Sequence, residues 1–399
     1  KTDKFLSDFM KGEKKLQEAL DVIPLPEGDD LKAKLKALYD WMDANIENTD
    51  YRTSERRESE ARADQDDDDF ESVRQVWKDK AGTATQIRLL YAAFARILGA
   101  DAHMVAVVDR SESYWDARLL TGLQFDDFLV AVKAPSEPNE DYVVLDLGSG
   151  LPYGKVRWWY SMIRGLLCTE EGASSVTIPP LEAEDSTTVY DVKIGFEDDG
   201  ELVVRSWTMT AAGQWGRSER VYLRGMTPDE REDRLFELCG SGGDLEVTSA
   251  TVSDLDNFRE PLALTCETEE FTDGIADDDA RYAVAIGGPW IARLPTFVSD
   301  TRESPILFRH PWTTETTINI HAPEGFKPAG GHPPVSADTA LGQFRLTILP
   351  SGDIYQVKRK FVMPIPSMAA KHYEGLMKYF DFIKRADATR IEFVRISGS

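Results

Sequence analysis

The sequence predicts an α+β fold in its first part, followed by an all-β sandwich domain with a C-terminal helix. In residues 1–175 a long amphipathic helix pattern precedes three short runs of β-branched and aromatic residues, which favours a helix packed on a largely antiparallel sheet. From residue 187 to residue 399 most patterns are those of short strands. Between the two parts, residues 176–186 include Pro179 and Pro180, and we interpret this stretch as a linker.

Helical periodicity predicts two helices in the first domain, each with an apolar face that needs a core to pack on. The first helix has charged residues between the apolar positions Leu31, Leu35, Leu38, Tyr39, Met42 and Ile46. The second helix covers residues 79–98 and ends before Gly99, a residue that favours a helix stop. Three strands are expected after it, at residues 102–108, 125–132 and 142–147.

In the second domain, a helix at residues 227–238 interrupts the strands and begins with the capping sequence TPDE. A hairpin is expected around Ser351, Gly352 and Asp353. It is followed by a helix that carries Tyr373 and Phe380 on one face, and by a final strand at residues 391–396. A sandwich is the simplest arrangement that covers the inner faces of so many strands.

The composition excludes some functions. The chain of 399 residues has 46 Lys and Arg against 70 Asp and Glu, a formal net charge of −24. Such a surface repels phosphate backbones and anionic lipid headgroups, so nucleic acid is not expected as a partner. An apolar content of 42% supports a globular interior, and no stretch approaches the roughly 20 apolar residues that span a bilayer.

The cellular compartment stays open. Cys168, Cys239 and Cys266 lie far apart without paired metal-ligand spacing, and one disulfide with one remaining thiol is as compatible with them as three buried thiols. The chain begins with Lys1 and shows no leader pattern. We therefore expect that a signal peptide or an upstream domain has been removed, and a periplasmic or secreted location is one expectation.

Residues 52–71 are mostly charged and predict a solvated loop. Asp64, Asp66 and Asp68 alternate as in a calcium loop of the EF-hand kind. However, Asp69 stands where that loop requires glycine, and Gln75 stands where it requires the closing glutamate. No metal site is predicted.

The stretch WKDKA, residues 77–81, resembles the core motif of bacterial transglutaminase-like proteins, which have a papain-type fold. In that family a cysteine precedes KDKA at the N-terminus of the long helix, where exposed amides and the helix dipole stabilise a thiolate. The run FDDFLVAV resembles the strand that carries the family's histidine, and VLDL resembles the strand that carries its aspartate. The C-terminal part is similar to the β-rich domain that follows this core in a group of bacterial proteins of unknown function.

Carried over to this chain, the resemblance implies that Trp77 stands at the cysteine position, Asp127 at the histidine position and Asp146 at the aspartate position. Trp77 has no nucleophile, and Asp127 cannot serve as the neutral-pH base that thiolate acyl transfer requires. His103 lies in the strand after the helix, where a structural role is expected. The triad is therefore predicted to be degenerate.

We accordingly predict a non-catalytic protein that is a binding or structural module for a peptide, protein or glycan, without a cofactor. Trp77 is expected to fill the cleft, and its alternative role is a stacking platform for a ligand. Lys78, Lys80 and Asp126 are the candidate contacts in this cleft.

The alternative function is a repurposed hydrolase that uses the carboxylates of Asp127 and Asp146. Two carboxylates in a protected cleft cannot both ionise without compensation. A shared proton, a cation such as Lys78 or Lys80, a metal ion or solvent exposure could each supply it.

Overall fold

A computed structural model describes residues 13–52, 73–119, 121–136, 141–169, 172–197, 200–240, 245–275, 280–291 and 294–396. The chain forms two compact units, residues 1–181 and 182–399. The fold is α+β, with many strands and a C-terminal helix. Most of the charged stretch at residues 52–71, with its alternating aspartates, lies outside the described residues.

The helices of the first unit are α1 (Glu13–Leu20), α2 (Leu31–Asn45), α3 (Val73–Asp79) and α4 (Ala84–Ile97). Its strands are β1 (Glu47–Asn48), β2 (Ala81–Gly82), β3 (Asp101–Val107), β4 (Asp127–Lys133), β5 (Val143–Leu145), β6 (Ile163–Thr169) and β7 (Gly172–Ile178). Strands β1 and β2 form a short parallel pair. The other five form an antiparallel sheet in the order β5-β4-β3-β6-β7.

The predicted helix at residues 79–98 starts later than expected. Helix α3 ends at Asp79, Lys80 has a left-handed φ of 52°, and α4 begins after the N-cap Thr83. The Thr83 side chain accepts a bond from the Gln86 amide, and the Gln86 side chain accepts one from the Thr83 amide. This reciprocal capping box fixes the start of α4, so WKDKA lies before the long helix and not at its first turn.

The five-stranded sheet is buried on both faces. Side chains alternate along β3, so Met104 packs with the helices while Val105 faces the opposite side. In β4, Val130 packs with the helices and Leu129 faces the opposite side. The predicted stripe of α2 contributes Leu35, Leu38, Tyr39 and Met42 to the helical side of this core.

The second unit contains α5 (Gly213–Arg224), α6 (Pro228–Gly240) and α7 (Tyr373–Asp387). Its strands are β8 (Thr187–Glu197), β9 (Leu202–Ala211), β10 (Glu246–Val252), β11 (Leu262–Phe271), β12 (Arg281–Ala285), β13 (Ile306–Leu307), β14 (Trp312–His321), β15 (Phe326–Pro328), β16 (His332–Thr339), β17 (Gly342–Ser351), β18 (Ile354–Met363), β19 (Ser367–Met368) and β20 (Arg390–Arg395). Eight strands form one sheet in the order β10-β11-β9-β8-β14-β18-β17-β16. Strand β14 pairs with β8 in parallel and with β18 antiparallel.

The second unit has the many strands and the C-terminal helix that the sequence predicts, and its core joins the eight-stranded sheet to helix α7 and to a small sheet in the order β12-β20-β15. One expectation for this part of the chain needs correction. Residues 176–178, expected in a linker, pair with β6 as the end of edge strand β7. The predicted helix at residues 227–238, the hairpin β17–β18 and the final strand are confirmed.

The cysteines divide into one bridge and one thiol. Cys239 at the end of α6 forms a disulfide with Cys266 in β11. The Cys168 thiol lies 3.5 Å from the Leu166 carbonyl oxygen. No helix within the described residues is long and apolar enough to cross a membrane.

Candidate functional site

Asp127 and Asp146 lie at the same end of the first sheet. Strands β4 and β5 are antiparallel, so the beginning of β4, where Asp127 stands, lies near the end of β5, which Asp146 follows directly. Helix α4 places Arg88 against this end, and Arg157 comes from the segment that precedes β6. The four side chains form one network of ion pairs.

Asp146 is fully buried and accepts four hydrogen bonds from the two arginines. Its Oδ1 lies 2.7 Å from Arg88 Nη2 and 3.0 Å from Arg157 Nη2. Its Oδ2 lies 2.8 Å from Arg157 Nε and 3.0 Å from the Arg157 backbone nitrogen. This carboxylate therefore has no face turned toward solvent.

Asp127 is engaged on both oxygens as well, although its side chain remains 18% exposed. Its Oδ1 accepts from Arg88 Nη1 at 2.8 Å and from the Phe128 amide at 2.8 Å. Its Oδ2 accepts from Arg157 Nη2 at 2.8 Å and from the Tyr160 hydroxyl at 3.3 Å. Arg88 and Arg157 thus each bridge both carboxylates.

The network balances two negative charges against two positive ones. Burial alone would raise the pKa of Asp146, but the charges of Arg157 and Arg88 and the bonds from Arg157 outweigh it and lower the pKa to about 2. The pKa of Arg157 is raised well above its usual value because the attraction of Asp146 outweighs the effect of burial. Burial also raises the pKa of the Tyr160 hydroxyl. Asp146, Arg157 and Tyr160 therefore keep their ordinary protonation states at neutral pH.

Trp77 lies elsewhere, in the short helix α3. Its ring stacks on Trp41 with the centroids 5.5 Å apart and meets the edge of Phe94 at 5.6 Å. The Lys80 ammonium lies 2.9 Å from the Trp77 ring centroid and 4.9 Å from that of Trp41. Trp77 is therefore packed in an aromatic cluster with one face held by a cation.

Lys80 lies against these aromatic rings, and it makes no ion pair with a carboxylate among the described residues. Within the described residues its buried Nζ has no hydrogen-bond partner. Burial lowers the pKa of Lys80 to about 8. Lys78 is exposed on α3, and Asp126 is exposed and accepts a bond from the Asp109 amide at 2.7 Å. In the described part of the chain, the ion pairs of Asp127 and Asp146 are with arginines and not with the two lysines.

Within the described residues, the N-terminus of the long helix carries an alanine and no thiol. Ala84 is its first residue, and its amide donates to the Asp50 carboxylate at 2.9 Å. The Thr83 hydroxyl is engaged in the capping box with Gln86. A carboxylate at this position is favoured by the positive end of the helix dipole.

Arg88 and Arg157 are the functional residues that sequence reasoning missed. Arg88 is the one charged residue in the apolar run IRLLYAAFA of α4, and a charge inside such a run needs a partner in the core. Arg157 precedes the aromatic residues Trp158, Trp159 and Tyr160, and its guanidinium lies 4.8 Å from the Tyr160 ring. Either position signals a buried cation, but neither identifies Asp127 and Asp146 as its partners.

Comparison with known proteins gives a limited result. The family model of a domain of unknown function with solved structure, DUF3858, matches residues 291–393, which is less than half of the chain. A crystal structure of a protein from Parabacteroides distasonis, proposed to be a protease, is similar with a TM-score of 0.46 and 11% identity. That similarity covers 98% of this chain and 57% of the other protein, so this chain spans less than two thirds of it. No curated protein matches the chain.

Proposed function

We propose that the first unit is a transglutaminase-like domain without catalytic activity, which is retained as a binding or structural module. The observation that carries the proposal is the network of Arg88, Arg157, Asp127 and Asp146. In the resembling family, a base and its orienting aspartate stand at this end of the sheet. Here both oxygens of both carboxylates accept bonds from arginines, and no oxygen is left over to take a proton from a nucleophile.

The nucleophile is missing under either alignment of the motif. The resemblance of WKDKA assigns the cysteine position to Trp77, whereas the start of the long helix assigns it to Ala84. An indole and a methyl group are both inert in acyl transfer. The loss of the thiol therefore does not depend on which residue is the true equivalent.

The same geometry argues against the alternative of a hydrolase with two carboxylates. Such an enzyme needs one carboxyl that is protonated near neutral pH, which requires a raised pKa. Asp146 has the opposite property, because the two arginines keep its pKa at about 2. The paired charges instead tie α4, β4 and the segment before β6 together.

Stability and turnover measurements on the whole chain test this proposal. Arg88→Met removes a buried partner from two carboxylates, so we expect a loss of about 3–5 kcal/mol in the free energy of unfolding. Arg118→Met is the matched control, because Arg118 pairs with Asp116 on the surface with 89% of its side chain exposed. The control should leave the free energy of unfolding nearly unchanged.

The turnover measurement compares the wild type with Asp127→Asn and Asp146→Asn. Suitable assays are the incorporation of an amine into casein, the cleavage of casein and the hydrolysis of nitrophenyl esters and glycosides. We expect no turnover above that of a buffer blank for any of the three proteins. Turnover by the wild type that either folded Asn variant lacks would overturn the non-catalytic reading.

A further inference from the structure

The β3–β4 loop, which the structure describes at residues 108–119 and 121–126, presents apolar side chains at the same end of the sheet as Asp127. Tyr114 is 64% exposed, Leu119 is 56% exposed and Leu123 is 95% exposed. Elsewhere in the described part of the first unit, the large apolar side chains that are exposed are Val22 and Val143. Scattered apolar residues on a surface need no explanation, but three on one loop next to a candidate site do.

This loop is held in shape by its own hydrogen bonds. The Gln124 side chain donates to the carbonyl oxygens of Leu119 at 2.7 Å, Thr121 at 3.3 Å and Asp116 at 3.4 Å, and it accepts from the Asp116 amide at 3.0 Å. Trp115 packs on Phe125 with the ring centroids 5.9 Å apart. The exposed leucines are therefore presented by an ordered scaffold, and binding through them costs less conformational entropy.

The base of the loop is fixed to the segment that carries Arg157. The Arg110 amide donates to the Trp159 carbonyl at 3.1 Å, and Arg110 Nε donates to the Trp158 carbonyl at 3.1 Å. The Arg110 guanidinium also lies 5.2 Å from the Trp158 ring. Trp158 and Trp159 directly follow Arg157. The loop and the ion-pair network are therefore both attached to this segment.

The charges of the loop favour a cationic partner. Between residues 109 and 126 there are four acidic residues, Asp109, Glu112, Asp116 and Asp126, and two basic ones, Arg110 and Arg118. Arg118 is taken by Asp116 at 2.7 Å, and Arg110 is buried against Trp158. Glu112 and Asp126 are exposed and make no ion pair within the described residues. The whole chain carries a net charge of −24, which would attract a basic partner and repel an acidic one.

We infer that the β3–β4 loop is a docking site for a peptide segment of a partner protein, with apolar side chains flanked by lysine or arginine. This inference rests on the proposed function, in which this end of the sheet binds and does not catalyse. Two exposed leucines and one tyrosine on the same loop suit apolar peptide side chains better than a sugar ring, which prefers flat aromatic faces. Anionic membranes and a second copy of this acidic chain would both be repelled.

Selection of peptides on the whole 399-residue protein tests the inference. A random dodecapeptide display library is selected on wild type, and the enriched peptides are synthesised with a fluorescent label. We expect enrichment in Leu, Ile or Phe together with Lys or Arg. We also expect binding that weakens at least tenfold in Leu119→Ser/Leu123→Ser and several-fold when the salt concentration rises from 0.05 to 0.5 M.

Val22→Ser is the matched control, because Val22 is 70% exposed in the same unit but lies outside the loop. It should leave binding unchanged, and circular dichroism should show that both variants remain folded. Peptides that are acidic, or that bind the loop variant as well as wild type, would overturn the inference. So would loop-dependent binding to phosphatidylglycerol vesicles or chitooligosaccharides, or loop-dependent self-association, without peptide binding. A negative result here leaves the turnover assays of the proposed function untouched, so the two can fail separately.

Discussion

Among the single residues, Asp146 shows how a fully buried charge is stabilised. Burial without partners would force such a group to take up a proton. Four bonds from Arg88 and Arg157 keep it ionised instead, and the same arginines also hold Asp127. Removing any one of the four side chains leaves its partners without their compensating charge. Each such removal therefore lowers the stability of the folded protein.

The depressed pKa of Asp146 predicts a specific dependence of stability on pH. An unfolded aspartate titrates near 3.9, whereas Asp146 in the folded protein titrates at about 2. Its stabilising contribution is therefore present above pH ~4 and is lost as the pH falls through 2, an effect of about 2–3 kcal/mol. Urea unfolding should show that the stability difference between wild type and Asp146→Asn shrinks over this interval. A difference that stays constant from pH 6 to pH 2 would contradict the assigned ion pairs.

Two buried threonines of the second unit predict opposite effects of the same substitution. Thr268 has no exposed surface, and its hydroxyl has no partner within the described residues. Thr316 is also buried, but its hydroxyl donates to the Trp290 carbonyl at 3.2 Å. We expect Thr268→Val to raise the free energy of unfolding by up to about 1 kcal/mol and Thr316→Val to lower it by about 1–2 kcal/mol. Urea unfolding of both variants measures the contrast, and a destabilised Thr268→Val protein would contradict the prediction.

Residue patterns revealed the acidic half of the network but not the basic half. The strand motifs FDDFLVAV and VLDL singled out Asp127 and Asp146, which the fold does bring together. The cation was sought in Lys78 and Lys80 because they belong to the WKDKA motif. Arg88 and Arg157 stand outside these motifs, and the packing of α4 and of the segment before β6 at this end of the sheet brings them to the two aspartates.

At the level of elements, signals that are local in the sequence predicted helices and strands correctly. The pairing of distant strands could not be predicted from them. The apolar stripe of α2, the strands β3 to β5 and the β17–β18 hairpin follow from periodicity and turn residues alone. The start of α4 depended on a capping box, Thr83 with Gln86, inside a stretch that looked continuously helical. Strand patterns do not say how the strands of the second unit divide between sheets, and the structure arranges most of them in one sheet of eight with a small sheet of three.

The disulfide joins two elements that pack on each other, and it predicts a stability cost on removal. Cys239 in α6 and Cys266 in β11 are separated by 27 positions, and both are fully buried. Closing a loop of this size in the unfolded chain contributes about 3.5 kcal/mol by the entropic account. Cys239→Ala/Cys266→Ala should therefore unfold at a lower urea concentration than wild type. Cys168→Ala, outside the bridge, is the control and should lose less, and equal losses in the two proteins would contradict this account.

The second unit as a whole depends on one parallel contact between distant parts of the chain. Strand β14 pairs with β8 from Thr313 to Ile320, and this pairing joins the strands β8 to β11 to the strands that come later in the chain. Val192, Ile194 and Trp207 from the early strands belong to the same core as Phe344, Tyr355 and Phe380. Cooperative stability is therefore expected from residues 182–399 together.

The DUF3858 match covers residues 291–393 and so omits β8 and β12. A fragment of these residues would expose the β14 edge and leave β20 without its partner β12, while losing the apolar side chains of the early strands. We expect residues 182–399 to give a dispersed amide NMR spectrum and a cooperative unfolding transition under oxidising conditions, and residues 291–393 to give neither. A dispersed spectrum from the shorter fragment would show that the matched segment folds alone and that β8 only extends its sheet.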